Sequence, residues 1–173
     1  MLPKGYSTVT DRCMYQADVG LICPMTYFQP ETGIQIQPFF MLDLEMQNSV
    51  VSRLETEWKE INHDFIDSNW SQGGDILYVA FNFGDAPSNI IGTVAVDRKG
   101  FTPFISTIYV CPMYRGFGYS KILITFAETF IKNVLHFKES HLWCGEDMLD
   151  FYFNLGYSIE KTDDKYILSK KLI

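Results

Sequence analysis

The residues best equipped for chemistry form one run, Val110-Cys111-Pro112-Met113-Tyr114-Arg115-Gly116-Phe117-Gly118-Tyr119-Ser120. Arg115 carries a fixed positive charge, and Gly116 and Gly118 leave main chain uncovered by side chains. The stretch before it, residues 104–110, is apolar and β-branched, which predicts a buried strand. After it, Leu123, Phe126, Ala127, Phe130, Ile131 and Val134 recur at helical spacing. So short a connection presents bare N–H groups at a helix N-terminus, where the macrodipole favours negative charge. The chemistry is anion binding, and the glycines let a phosphate approach the backbone. Two common phosphate motifs do not fit. A P-loop needs Lys after its second glycine, and a dinucleotide fingerprint needs a third glycine where Lys121 stands.

A second segment stands about thirty residues downstream, Asp150-Phe151-Tyr152-Phe153-Asn154-Leu155-Gly156-Tyr157. It combines a phenol with a glycine suited to closing a short helix. The first run, with Val110-x-Pro112 before Arg115-x-x-Gly118-x-Ser120, resembles the pyrophosphate-binding motif of the GNAT superfamily of N-acetyltransferases, Arg/Gln-x-x-Gly-x-Gly/Ala. Ser120 takes the place of the last small residue. The second resembles the same family's Phe-Tyr-x-x-Leu-Gly-Phe signature. The resemblance covers residues 75–172.

This resemblance implies an α+β GNAT fold, with a mixed central sheet of about six or seven strands flanked by helices. The length suits a single domain over residues 1–173, and residues 1–32, broken by Pro3, Gly5, Gly20, Pro24 and Pro30, read as an N-terminal extension packed on it. The expected activity is transfer of an acetyl group from acetyl-CoA to a primary amine of a small molecule, a polyamine, an arylalkylamine or an amino sugar. Attack is direct, in a ternary complex. Two alternatives stay open: a protein acetyltransferase acting on N-termini or lysines, and a non-catalytic GNAT-fold protein that binds acyl-CoA. For coenzyme A, the resemblance assigns the pyrophosphate to the N–H groups of Gly116, Phe117, Gly118, Tyr119 and Ser120, with Arg115 adjacent. It assigns the acyl-pantetheine arm to the main chain of Ile108, Tyr109 and Val110.

Tyr152 matches the family tyrosine that protonates the departing thiolate; an unperturbed phenol lies close to a thiol in pKa. The base is less plain. The positions where many members carry Glu or His are Ser106 and Phe104 here. Ser106 is the catalytic candidate, acting through a held water, with Thr107 or a carboxylate from elsewhere as alternatives. Glu146 and Asp147 fit a helix N-terminus for dipole reasons alone. His141 reads as packed or exposed, and His63 and His136 carry no contextual signal. Cys144 reads as a buried apolar residue, and no His–Asp arrangement activates it.

Composition narrows the partners. The chain of 173 residues has a net charge of −7 and no basic stripe, which argues against nucleic acid. Residues 1–100 hold thirteen acidic and six basic side chains, while residues 101–173 hold eight of each. In the GNAT fold the first half faces the acceptor, so its acidity would attract cationic amines; a solvated surface is the plainer explanation. Cys13, Cys23, Cys111 and Cys144 are scattered, without zinc-site spacing, and no metal is expected. No opening apolar region or membrane-length run is seen, so a cytoplasmic protein with free thiols and no membrane partner is expected. A homodimer is compatible with all of this.

The elements expected to position these groups follow the apolar pattern. Residues 33–44 predict a first strand, and Asn48 or Ser49 would cap a helix from Val50 to about Ile66. Residues 76–83, 90–97 and 102–110 predict an antiparallel meander. A helix should run from Arg115 to about His136, a short strand from His141 to Cys144, and a helix from Glu146 to Leu155. A terminal hairpin should pair residues 157–160 with 166–170.

Overall fold

A computed structural model describes residues 6–8, 14–16, 20–22, 25–29, 33–70, 75–82, 89–99, 102–162 and 164–173. Along the chain run β1 (Tyr6–Thr8), β2 (Met14–Gln16), β3 (Gly20–Ile22), β4 (Met25–Gln29) and β5 (Ile34–Pro38). Next come α1 (Leu44–Glu57), α2 (His63–Trp70), β6 (Ile76–Asn82), β7 (Ile90–Lys99) and β8 (Thr102–Val110). The rest is α3 (Tyr119–Asn133), β9 (Glu139–Cys144), α4 (Leu149–Asn154), β10 (Ser158–Thr162) and β11 (Tyr166–Lys171).

The main sheet runs β1-β4-β5-β6-β7-β8-β9-β11-β10. The seven strands from β5 onward form the expected mixed sheet, flanked by four helices. β1 and β4 lengthen it beyond β5, and β2 pairs with β3 apart from it. How the side chains of residues 1–32 pack lies outside the described residues, as do the turn at residues 83–88 and Cys13 and Cys23. No helix among the described residues is long and apolar enough to cross a membrane.

Burial explains the central strands. Every residue of β6 from Ile76 to Phe81 is buried, because helices cover both faces. On one face α3 lays down Leu123, Phe126, Ala127, Phe130 and Ile131, and Tyr78 meets Phe126 and Phe130 edge-on with centroids 4.7 and 5.4 Å apart. On the other face α1 and α2 supply Val50, Val51, Leu54, Ile66 and Trp70. A polar knot ties α3 to the last strands: Lys170 Nζ donates to both Glu128 oxygens at 2.9 Å, and Tyr157 Oη donates to Glu128 Oε1 at 2.9 Å.

Three helices differ from expectation. The segment expected as one helix from Val50 to Ile66 is two. Asp43, not Asn48 or Ser49, caps α1, its Oδ1 accepting Met46 N–H at 2.8 Å. The chain turns extended at Trp58 (φ −135°, ψ 101°), and Asn62 Oδ1 accepts Phe65 N–H at 2.9 Å as α2 begins. The apolar spacing runs unbroken across this turn because Ile61 is buried within it. α3 starts at Tyr119 rather than Arg115, since Gly116 and Gly118 have φ of +84° and +82° and cannot continue a right-handed helix. It ends at Asn133, short of His136. The segment from Glu146 splits into a 3₁₀ turn, Glu146–Met148, and α4.

The feature that creates a site is a fork. β8 and β9 are parallel neighbours but pair only at Phe104↔His141 and Ile105↔Leu142. Beyond these pairs β9 stays bonded to β11 as far as Cys144, and β8 stays bonded to β7 as far as Val110. A bulge bends β8 away: between the pairs Ala95↔Ser106 and Thr93↔Tyr109, Thr107 and Ile108 oppose Val94 alone. Thr107 sits at φ +48°, a strained conformation for a β-branched residue, and Thr93 Oγ1 donates to its carbonyl at 2.9 Å. At the tip, a Cβ on Gly92 would lie 2.1 Å from Tyr109 O, so only glycine allows this approach.

Candidate cofactor cleft

The fork opens into a cleft of about 450 Å³. Its floor is Ile108, Tyr109 and Val110 of β8. One end is the loop into α3, where Arg115 N–H bonds Pro112 O at 3.2 Å and the next main-chain donation is Lys121 N–H to Gly118 O at 3.1 Å. Among the described residues the N–H groups of residues 116–120 have no backbone partner. A Cβ at Gly116 or Gly118 would meet nothing within 4 Å, so the space outside this backbone is open. Gly118 is the N-cap of α3 and offers no side-chain acceptor, which leaves the first-turn donors to a ligand.

Arg115, Gly116, Gly118, Tyr119 and Ser120 line the cleft with the three β8 residues. Phe117 does not; its side chain projects outward, 75% exposed. Arg115 is held away from full freedom: Nε donates to Val110 O and Nη2 to Glu57 Oε1, each at 3.0 Å.

Tyr152 reaches the cleft from α4 and is only 6% exposed. Its motif has a capping explanation. Leu155 closes α4 and Gly156 adopts φ +90°. Tyr157 N–H then bonds Tyr152 O at 3.1 Å, and Gly156 N–H bonds Phe153 O at 2.9 Å. This is a Schellman motif, which brings the residues at its two ends together. The Tyr152 and Tyr157 rings lie 5.9 Å apart, and Phe151 flanks Tyr152 at 5.1 Å. Burial, then the neighbouring Cys144 thiol, push the Tyr152 phenol up to about 12. The near match to a thiol expected from an ordinary phenol is thereby tilted toward holding the proton. Burial and the charge of Asp147 also push the Cys144 thiol up, which disfavours a thiolate nucleophile. Tyr109, packed edge-on against Trp58, is pushed up to about 12 by burial and then by Cys111.

Ser106 does not line this cleft. It faces the α2 side, where its Oγ donates to Asp97 Oδ2 at 2.5 Å. His141 is buried against Phe104, with Nε2 3.1 Å from Glu160 Oε2. Glu146 and Asp147 are exposed and take no part in the lining. Tyr114 and Phe151, neighbours of the motif residues, also line the walls, and Glu57, Trp58 and Met148, of which the sequence gives no hint, complete them. Glu57 and Trp58 come from the end of α1, and nothing in their local pattern points across the fold to Arg115.

A larger cavity of about 1050 Å³ lies at the other end of β8, among Thr102, Lys138, His141, Glu160 and Lys171. Its charged groups, Lys132, Lys138, Lys171, Glu139 and Glu160, are exposed side chains set among Pro103, Phe137, Leu172 and Ile173, and no glycine loop borders it, so the anion-binding backbone belongs to the smaller cleft. No metal-binding cluster occurs among the described residues.

Comparison with known proteins agrees with this geometry. The family model described as Acetyltransferase (GNAT) family matches residues 40–157. A GNAT family acetyltransferase from Elizabethkingia anophelis with acetyl-CoA bound is 17% identical, with a TM-score of 0.60 over 81% of this chain and 99% of its own. The PaiA N-acetyltransferase of Thermoplasma acidophilum, in complex with coenzyme A, is 21% identical, with a TM-score of 0.51 over 76% and 81% of the two chains. Mutant forms of the spermidine/spermine N-acetyltransferase SpeG from Vibrio cholerae are 12% identical, with a TM-score of 0.62 over 81% and 94%. At such identities the likeness is one of fold. A search of curated proteins finds no match.

Proposed function

Because this chain belongs to the acetyltransferase (GNAT) family, we propose that it transfers an acetyl group from acetyl-CoA to a primary amine of a small molecule, by direct attack in a ternary complex. The observation that carries this reading is the meeting of three things in one cleft: a loop with free N–H groups, a strand released from its neighbour, and a buried phenol.

The residues fit coenzyme A. The main-chain donors of residues 116–120 suit a pyrophosphate, and the open space over Gly116 and Gly118 lets it approach. Arg115 adds charge beside them. The unpaired edge of Ile108, Tyr109 and Val110 suits an extended chain with amide groups of its own. When bound, acetyl-CoA supplies a thioester, an acyl carbon open to a neutral amine. Tyr152 keeps its proton throughout the neutral range and donates a hydrogen bond where negative charge builds on sulfur. The burial of Cys144, and the upward push on its thiol, support attack by the amine itself rather than through an acyl-cysteine.

The acidic first hundred residues favour a cationic acceptor, and the fold shared with SpeG makes polyamines a natural first class to try, ahead of arylalkylamines and amino sugars. Free, buried Cys111 and Cys144 support a cytoplasmic setting. The test is release of free thiol from acetyl-CoA across a panel of amines. Release that depends on a particular amine is the expected result. Tight coenzyme A binding without release from any amine would make this a binding protein.

A further inference from the structure

Asp97 is a carboxylate only 6% exposed, on the face of the sheet that α2 covers. Trp70 Nε1–H donates to its Oδ1, and Ser106 Oγ–H donates to its Oδ2 at 2.5 Å. No ion pair to Asp97 occurs among the described residues. A buried carboxylate without a cation is costly, and a packing role needs only a neutral partner for the indole. The position of Ser106 suggests why a carboxylate is kept. It is the first residue of β8 beyond the last β8–β9 pair, at the mouth of the fork, and the strained Thr107 follows it. Two residues on, Ile108 lines the cofactor cleft. Ser106 is partly exposed, whereas Asp97 behind it is closed off.

We propose that Asp97 is the base for the acceptor amine, reached through the hydroxyl of Ser106. This rests on the acetyltransferase reading above. Ser106 spends its one O–H on Asp97, so toward the fork it can only accept a hydrogen bond. A protonated primary amine is the donor that fits. The transfer balances. One N–H bond of the ammonium breaks as its proton joins Ser106 Oγ. The original Ser106 O–H bond breaks as that proton joins Asp97 Oδ2. The amine is left neutral with its lone pair free, Ser106 is unchanged, and Asp97 is a neutral carboxyl that later returns its proton to water. Trp70 holds the other oxygen and keeps Oδ2 turned to Ser106. Among the described residues His141 also lies on this face, but Phe104 stands between it and Asp97, and its Nε2 sits 3.1 Å from Glu160 Oε2.

The test uses the full chain with Ser106→Ala, Ser106→Thr and Asp97→Asn, under conditions where chemistry limits the rate. Ser106→Ala and Asp97→Asn should each lower kcat at least about thirtyfold for a strongly basic amine. Acetyl-CoA affinity, read by calorimetry, should stay within about twofold. Ser106→Thr keeps the hydroxyl on a β-branched side chain and should restore most of the rate. With an amine already neutral at the assay pH, the deficit should shrink to about threefold or less, which a packing defect would not do. Ser106→Ala leaves the Trp70–Asp97 bond intact, so it decides the matter if Asp97→Asn folds poorly. Unchanged kcat in Ser106→Ala, or a deficit independent of amine basicity, overturns the relay alone. A wild-type protein that acetylates no amine overturns the transferase reading and the relay with it.

Discussion

In its first half β8 is bonded to strands on both sides, at Phe104 and Ile105; at its C-terminal end it has one neighbour and an open flank. A cavity lies at each end, and the larger is at the end nearer the β8–β9 pairs. The two are made of different material. The polar groups of the cavity near Thr102 are mainly the exposed side chains of Lys132, Lys138, Lys171, Glu139 and Glu160, set among Pro103, Phe137, Leu172 and Ile173, and long exposed side chains lose rotamer freedom when they fix a ligand. The cleft near Val110 is walled by aromatic rings and main-chain groups already fixed by helix and strand. Preorganised donors lose little entropy on binding, so the smaller space is the better site. Volume is a weak guide to function when the lining differs this much.

The contrast can be broken most sharply at the loop. Gly118→Asp puts a side chain and a negative charge where an anion should sit, and a left-handed φ of +82° adds strain. Coenzyme A affinity should fall at least about a hundredfold, about 3 kcal/mol, by calorimetry. Undiminished binding would remove the loop from the site.

Tyr152→Phe keeps the ring and removes the donor. kcat should fall about ten- to a thousandfold while coenzyme A affinity hardly changes. Unaltered kcat, where chemistry is limiting, would reduce Tyr152 to a packing residue. The pH sign is fixed by the upward push to about 12. Tyr152 stays protonated at neutral and mildly alkaline pH, so no falling limb of the rate below about pH 10 belongs to it. In the unfolded chain the phenol ionises near pH 10, so its contribution to stability is intact below that and lost as pH rises toward about 12. Denaturant unfolding should show stability falling across that window, and less steeply in Tyr152→Phe.

Gly92→Ala sharpens the comparison by attacking the fork and leaving the loop intact. Its Cβ would meet the Tyr109 carbonyl at 2.1 Å, and backbone cannot step aside as a side chain can. A loss of about 1–3 kcal/mol is expected in denaturant unfolding. A stability equal to wild type would mean that β7 and β8 have slack there.

The smallest effects complete the contrast. Arg115→Ala should weaken coenzyme A binding about two- to tenfold, since the backbone donors remain and the side chain is half in solvent, paired with Glu57. Lys171→Ala, in the larger cavity, should change it by less than about twofold. A greater effect from Lys171 than from Arg115 would reverse the assignment of the two cavities.

What was legible in the sequence was whatever is local. Arg115, Gly116 and Gly118 stand within four positions, and the strand and helix on either side announce themselves by period. Gly156 reads as a helix terminator for the same reason, and the Schellman bonds bear that out. The break between α1 and α2 was hidden because Trp58 and Ile61 keep the apolar rhythm while the backbone leaves the helix. The bulge was hidden because Thr107 takes a left-handed φ that glycine or asparagine would have advertised. Glu57 and Asp97 were invisible as site neighbours because they arrive from elements far off in sequence, Glu57 fifty-eight positions from Arg115. Strand order and register decide such meetings, and a single chain's residue pattern does not spell them out.

The fork also makes the protein its own reporter. A strand held on one side exposes some amide hydrogens of residues 106–110 to solvent through the gap, while those in β6, bonded on both sides, are shut in. Exchange with heavy water should therefore be fast along the open flank and slow in β6. A ligand that lies along the flank and bonds its backbone would slow that exchange. Peptides spanning residues 104–120 would then record occupancy by mass alone, for any acyl chain and without a turnover assay.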